Sequence, residues 1–295
     1  MLFRLTKHHG LGNDFLVHLS TDGPAATDRA VWVERAQRWC DRRRGIGADG
    51  LLIGLVDDGP TSGPGVDLEM LLVNADGSIA EMSGNGIRCL AQAAALAGLG
   101  DRSPEGGVLV IDTDAGVRTV TFQAPSEHLP STMVASVDMG PAGPGPEADR
   151  PVDITVDDVD DATAAALALA PLRSATFDLG NPHLVLLVPD PDVVDLVAAG
   201  STHESTFDSG INVHFIAASA TEPDVVEMRV WERGAGITEA CGTGATAVAR
   251  AAHDWGLTGT HVEIRMPGGS VQVDVADSMT LHGPATYIAS IEVHE

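Results

Sequence analysis

The feature that most constrains this 295-residue chain is that it answers itself. Gly12-Asn13-Asp14-Phe15 in the first half is matched by Gly180-Asn181-Pro182-His183 in the second, and Ser83-Gly84-Asn85-Gly86 by Cys241-Gly242-Thr243-Gly244. The latter two tetrads each run into an apolar, alanine-rich segment, residues 87–99 and 245–255. Asn74 and Glu232 precede them by the same interval. Four matches in one order predict a duplicated fold, two related domains with a functional site between the copies.

Alternation of apolar and polar residues predicts strands at 108–112, 117–122, 133–139, 184–188, 211–217, 225–231, 261–266 and 271–275. Helical patterns are fewer: the two segments after the tetrads, and 30–40. The glycine- and proline-rich stretch 57–65 reads as a hairpin loop between the apolar runs 51–56 and 66–73, and 140–151 as a long surface connection. The expected class is α+β: two pseudo-symmetric domains, each a mixed or antiparallel sheet wrapped around a central helix, without the strict βα alternation of a doubly wound sheet.

A small-residue tetrad at the mouth of an apolar helix exposes amide N–H groups that lack an intrahelical partner. With the positive end of the helix dipole they suit an anion such as a carboxylate. Cys241 at such a place is expected to have its thiol pKa lowered from the free value of about 8.5, making it a poised base. Read singly, each tetrad is also a plain helix cap, since serine is a good N-cap; it is the pairing that favours chemistry. Cys89, among leucine and alanine, and Cys40, closing an amphipathic helix, read as core residues.

Composition removes several classes of function. With 42 acidic against 17 basic residues and a net charge of −25, neither nucleic acid nor an anionic membrane is an expected partner. No apolar run approaches the roughly 18 residues that span a bilayer. The opening stretch lacks the pattern of a signal peptide, so a cytoplasmic location is expected. Three cysteines without a CxxC pair argue against a disulfide framework or a zinc site. The acidic run 157–161 lacks the spacing of a calcium loop and reads as a solvated turn, so no metal is expected. Lys7 is the sole lysine and stands beside no phosphate-binding signature, which argues against pyridoxal phosphate. Abstracting an amino-acid α-proton without pyridoxal or metal demands preorganised donors for the enediolate, and an acid and a base on opposite faces of the carbon. Pseudo-symmetric halves meet both demands.

Taken together, GLGNDF (10–15), RRGIGADG (43–50), NADGSIAEMSGNGIRC (74–89), GNPH (180–183), GINVHF (210–215), WERGAGITEACGTGA (231–245) and PGG (267–269) resemble the diaminopimelate epimerase family over nearly the whole chain. The resemblance implies cofactor-independent interconversion of L,L- and meso-diaminopimelate, for lysine and cell-wall precursor synthesis, by a homodimer acting on a small amino-acid substrate. It implies domains over 1–131, completed by 283–295, and 132–282, with substrate clamped between them and the last strand, through 284–293, returning to the first. By the same resemblance Cys241 is a catalytic acid–base residue, and Gly84, Asn85, Gly242 and Thr243 hold the reacting carboxylate. Asn13, Asn74, Asn181 and Asn212 bind polar groups of the substrate, and Glu232 and Arg233 address its distal end. His183 and Glu232 tune the catalytic pKa values.

One departure touches the chemistry. Ser83 stands where the family has cysteine, so the acid–base pair is serine and cysteine. A hydroxyl cannot rest as an anion near neutral pH, yet it can deliver a proton with help from a neighbour such as His183 or Glu232. Three explanations stand together: an acid–base variant similar to the Ser/Cys arrangement of proline racemase-like enzymes, a changed reaction, or a cysteine-to-serine replacement that traps ligand. A second departure is Gly50, where many family members carry glutamine. Beside the epimerase reading stand a racemase, isomerase or dehydratase of the same fold acting on another small acid, and a non-catalytic substrate-binding homologue.

Overall fold

The computed structural model describes residues 2–20, 28–56, 65–103, 106–123 and 131–295. They form two compact units, Met1–Asp138 with His282–Glu295, and Met139–Leu281. The chain leaves the first unit within the strand Thr132–Gly140 and re-enters it within the strand Met279–His294. The boundary expected at 131/132 falls at the head of the former strand.

The first unit contains β1 (Leu2–Gly10), β2 (Asn13–Ser20), β3 (Gly50–Val56), β4 (Leu68–Asn74), β5 (Ile79–Ala80), β6 (Asp101–Ser103), β7 (Gly106–Asp112), β8 (Arg118–Gln123) and β9 (Thr132–Gly140). Helix α1 (Arg29–Trp39) is amphipathic and buries Trp32, Ala36 and Trp39 against Phe3, Leu5, Leu51, Ile53, Leu71 and Val73. Strand β3 is buried on both faces, and its alternate residues Gly50, Leu52 and Gly54 look the other way, toward helix α2 (Gly84–Ala97). A Cβ on Gly54 would lie 2.9 Å from Leu90 of α2, so glycine there sets how closely helix and sheet approach. Helix α2 is buried from Gly84 to Ala94, as befits a helix that is the centre of its unit rather than a cover.

The second unit contains β10 (Gly143–Pro144), β11 (Arg173–Asp178), β12 (Pro182–Leu187), β13 (Asn212–Ala218), β14 (Val225–Glu232), β15 (Gly236–Ile237), β16 (His261–Met266) and β17 (Gly269–Asp274). Its helices are α3 (Asp161–Ala166), α4 (Leu196–Glu204) and α5 (Gly242–Asp254). Helix α5 is buried nearly throughout, from Gly242 to Ala252, and α4 covers the opposite face of the sheet through Ala199 with Leu186, Val213 and Phe215. Strand β18 (Met279–His294) begins here and then pairs antiparallel with β1 in the first unit, Leu2 opposite His294 and His9 opposite Thr286.

The duplication read in the sequence extends to sheet topology. In the first unit β1–β2 is antiparallel, β2–β3 parallel, β3–β4 antiparallel, β4–β7 parallel and β7–β8 antiparallel. In the second, β11–β12, β12–β13, β13–β14, β14–β16 and β16–β17 repeat that series of senses. Each unit is thus an α+β body with a mixed sheet around one central helix.

Several local expectations change. The hairpin loop at 57–65 lies, but for Gly65, outside the described residues; the strands it joins pair antiparallel, Val56 opposite Leu68. The connection 140–151 contains β10, paired to β11. The acidic run is a pair of caps: Asp158 accepts from the Thr155 amide and hydroxyl, and Asp160 caps α3. Helices α3 and α4 escaped the sequence reading because both are short and α4 carries no apolar stripe. Among the described residues no helix is long and apolar enough to cross a membrane.

Candidate active site

Ser83 and Cys241 occupy equivalent N-cap positions, one in each unit. Both are extended, with φ, ψ of −142°, 120° and −131°, 113°. Gly86 N–H donates to Ser83 Oγ at 3.0 Å, and Gly244 N–H to Cys241 Sγ at 3.3 Å. That bond satisfies the third amide of each helix. The amides of Gly84 and Asn85, and those of Gly242 and Thr243, have no intrahelical acceptor, as the first turn of any helix dictates.

Behind Ser83 lies a chain of hydrogen bonds. Asn85 Nδ2 donates to Asn13 Oδ1 at 3.2 Å, and Asn13 Nδ2 donates to Asp49 at 2.9 Å. Arg42 reaches both Asp49 and Asp14, and Lys7 Nζ lies 2.8 Å from Asp14. Burial alone would raise the Asp14 pKa; the Arg42 and Lys7 contacts outweigh it and hold the carboxyl below its usual range. Arg88, fully buried, donates to Gly84 O at 2.9 Å, Asn85 Oδ1 at 2.8 Å and Pro284 O at 3.2 Å. Among the described residues no carboxylate forms an ion pair with it. Burial lowers its pKa to about 10, which leaves the guanidinium charged at neutral pH. Asn74 stands apart, donating to Ser78 Oγ at 3.0 Å within its own turn. Gly50 opens β3 with its Cα 's missing side chain facing the Val73 carbonyl oxygen, 3.1 Å from where a Cβ would stand, so a larger residue here would need the strand pair to give slightly.

The second unit surrounds Cys241 differently. Thr243 Oγ1 lies 3.6 Å from Sγ, and Asn181 Nδ2 reaches Thr243 Oγ1 at 3.5 Å. Asn181 Oδ1 is 2.7 Å from His183 Nε2, whose other ring nitrogen is 2.9 Å from His214 Nε2. Asn212 donates to Pro182 O and accepts from the Arg233 amide, while the Arg233 guanidinium reaches Ser209 O. Thr238 donates its hydroxyl to Glu232. The expectation of a poised thiolate is overturned. Burial first, then the charge of Glu232 and a hydrogen bond to it, push the Cys241 thiol well above its ordinary range; the Thr243 and Gly244 contacts only partly oppose them. The helix N-terminus helps an anion, but it does not offset desolvation and a neighbouring carboxylate. Cys241 rests as a thiol, in the field of the neighbouring Glu232 carboxylate.

Ser83, Gly84, Asn85 and Asn13 therefore form one cluster, and Cys241, Gly242, Thr243, Asn181, His183 and Glu232 another. Asn212 and Arg233 join the second through backbone. Sequence reasoning passed over Asp49, Arg88, His214 and Thr238. All four lie inside the quoted motifs, and a charged or polar residue between apolar neighbours, as in Ile87-Arg88-Cys89 or Val213-His214-Phe215, was the available signal. Cys40 and Cys89 are buried with their thiol pKa values raised to about 12 by burial, in keeping with core roles.

Two duplicated sheets, each wrapped on a central helix whose N-cap side chain, Ser83 or Cys241, can carry a proton, define a distinct two-unit fold. Solved structures share it: a hydroxyproline epimerase from Agrobacterium vitis (TM-score 0.72, 15% identity, 99% of this chain and 92% of that one) and a predicted epimerase from Pseudomonas aeruginosa (TM-score 0.70, 17% identity, 99% of each). At such identities the likeness is one of fold. The family model for diaminopimelate epimerase matches residues 5–143 and 175–288. Curated diaminopimelate epimerases from Synechococcus elongatus (36% identity, 98% of each chain) and Bacteroides thetaiotaomicron (34%, 97% of this chain and 96% of the other) match along the length. The chain belongs to the diaminopimelate epimerase family.

Proposed function

We propose that this protein interconverts L,L- and meso-diaminopimelate without a cofactor, in lysine and cell-wall precursor synthesis, with Cys241 and Ser83 as the acid–base pair. The observation that carries the reading is the matched capping geometry of the two side chains, supported by full-length similarity to curated diaminopimelate epimerases. On substrate binding Glu232 accepts the Cys241 proton, and the thiolate removes the α-proton. The electron pair moves onto the carboxylate as an enediolate, held by the amides of Gly84, Asn85, Gly242 and Thr243. Ser83 protonates the opposite face; its alkoxide then regains a proton from water as Glu232 gives up the one it holds, which restores the starting state, and the reverse direction runs through the same species in the opposite order. Asn13, Asn74, Asn181 and Asn212 bind the substrate's polar groups; Arg233, a planar fork, takes the distal carboxylate. His183 supports the site from behind Asn181. The same reading takes the enzyme as a cytoplasmic homodimer.

The test is incubation with L,L-diaminopimelate in D2O, following the α-proton by NMR. Deuterium entry with inversion is expected. Entry without inversion would leave Ser83 out of the mechanism, and no entry at all would refute the assignment. Cys241→Ala should abolish exchange, and Ser83→Cys should raise turnover, since a thiol is the stronger acid.

A further inference from the structure

Strand β12 lies parallel to β13 with His183 opposite Asn212, and His214 follows Asn212 by two residues on the same face. The duplicated positions in the first unit are Phe15, opposite Gly50, and Leu52 two residues on. Both of those residues are buried and apolar. Leu52 packs against Gly86 of α2, and His214 takes the same place against Gly244 of α5, where a Cβ would lie 2.3 Å from its Cε1. An apolar pair therefore suffices to pack this corner of the fold. The second unit instead buries two imidazoles completely, with His214 Nδ1 left without a hydrogen-bond partner among the described residues. Burying an unpaired polar atom is unfavourable, so this departure from the duplicate calls for a role beyond packing.

The direction of the protons supplies that role. Asn181 donates through Nδ2 to Thr243, which leaves its Oδ1 to accept from His183 Nε2–H. A neutral His183 then has a bare Nδ1, and His214 Nε2–H donates to it at 2.9 Å. The chain ends at His214 Nδ1 as an unpaired acceptor. The opposite order would end it on a buried N–H with no acceptor, the rarer and less favourable defect. Desolvation keeps both rings neutral, with the charge of Arg233 acting further against protonation of His183.

We infer that His214 is a positioning residue for the substrate site: through His183 it fixes which way the Asn181 amide points, so that Asn181 presents N–H donors to Thr243 and to the ligand beside Cys241. This rests on the reading that Asn181 and Thr243 bind substrate, but its proton order can be measured without substrate. In the whole protein labelled with 15N-histidine at pH 7.5, both rings should appear as neutral Nε2–H tautomers, assigned by their loss in variants. Nδ1–H tautomers, or a charged ring, would overturn the inference.

His214→Leu removes the donor and His214→Gln returns an N–H near the same point. For His214→Leu the KM for L,L-diaminopimelate should rise about tenfold, the scale of one oriented hydrogen bond, with kcat changed less than about twofold. His214→Gln should recover most of the KM. A merely structural role would lower kcat through loss of active protein and leave KM alone. Unchanged KM in His214→Leu, or a fall in kcat alone, also overturns the inference. If the parent protein fails to turn over diaminopimelate while the tautomers are as stated and His214→Leu shifts the Asn181 side-chain amide resonances, the orienting relay stands and the substrate reading falls.

Discussion

Glu232→Gln removes the negative charge facing the Cys241 thiol while keeping the size of the side chain and an oxygen for the Thr238 hydroxyl. Two charges about 4 Å apart at an effective dielectric of about 20 interact by about 4 kcal/mol. At 1.36 kcal/mol per pKa unit that is a ceiling of about three units. Glu232 is only half-buried, so water screens much of this. A fall of about one unit in the Cys241 pKa is expected, hence about tenfold more thiolate at any pH well below it. The burial contribution remains, so the thiol should still react more slowly than free cysteine. The assay is alkylation by iodoacetamide between pH 7.5 and 9 in the substrate-free protein, followed by peptide mass spectrometry with Cys40 and Cys89 as buried controls. Turnover should move the other way. Losing the group that accepts the thiol proton should lower α-proton exchange by about a hundredfold or more. Unchanged or slower labelling of Cys241 in Glu232→Gln would refute the charge argument, and unchanged exchange would refute the role of Glu232 as the proton acceptor.

Three further perturbations probe the surroundings. Asp14 is held below its ordinary pKa, so its contribution to stability is present above about pH 4 and is lost as pH falls through the folded value. Asp14→Asn should cost about 3 kcal/mol in urea unfolding at pH 7, because Lys7 and Arg42 lose a part-buried partner, and it should flatten the stability curve below pH 4. His214 is pushed down to about 3 by burial, so the unfolded chain takes up its proton first and stability falls as pH drops below 6.5. His214→Leu should make that fall shallower by about 1.4 kcal/mol per pH unit between pH 6 and 4, read from urea midpoints. Gly244→Ala drives a methyl group into the His214 ring and should cost about 2 kcal/mol, whereas in Gly86→Ala the nearest atom is Ser83 Cβ at 3.1 Å and the cost should stay below about 1 kcal/mol. Equal thermal destabilisation of these two variants would contradict the close fit described for α5.

The parts of the fold legible in the sequence are those whose local pattern agrees with their tertiary place. The tetrads announced α2 and α5 because glycines and a capping side chain precede an apolar run, and both helices are buried all round. The strands alternated where one face is solvated, as in β9 with Val134 and Ser136 between buried Met133, Ala135 and Val137. What was not legible depends on contacts distant in sequence. The raised pKa of Cys241 comes from burial and from Glu232, neither of which a helix-terminus argument contains. Asp49 holds Asn13 across 36 positions, and His183 meets His214 across 31, so single motifs showed the residues without the bonds. Asn74 is bonded within its own turn, and the substrate role proposed for it comes from its place in the motif alone.

The charge around the two caps bears on how a serine can serve where the other cap carries a cysteine. The two caps share geometry and differ in charge. Helix α5 has a carboxylate at its N-cap side chain, which together with burial favours the protonated thiol. Helix α2 has a buried guanidinium one turn in from Ser83, bonded to Gly84 O and to Asn85, with no carboxylate paired to it among the described residues. A serine that gives up its proton leaves an alkoxide, the least stable anion in the proposed cycle. Of the two caps, the α2 cap is the one whose fixed charge lowers the energy of that anion, through Arg88, the Gly86 amide and the helix dipole together. With the weaker acid on the cationic helix and the stronger acid beside the carboxylate, the two proton affinities are brought closer, as the proposed reversible transfer requires.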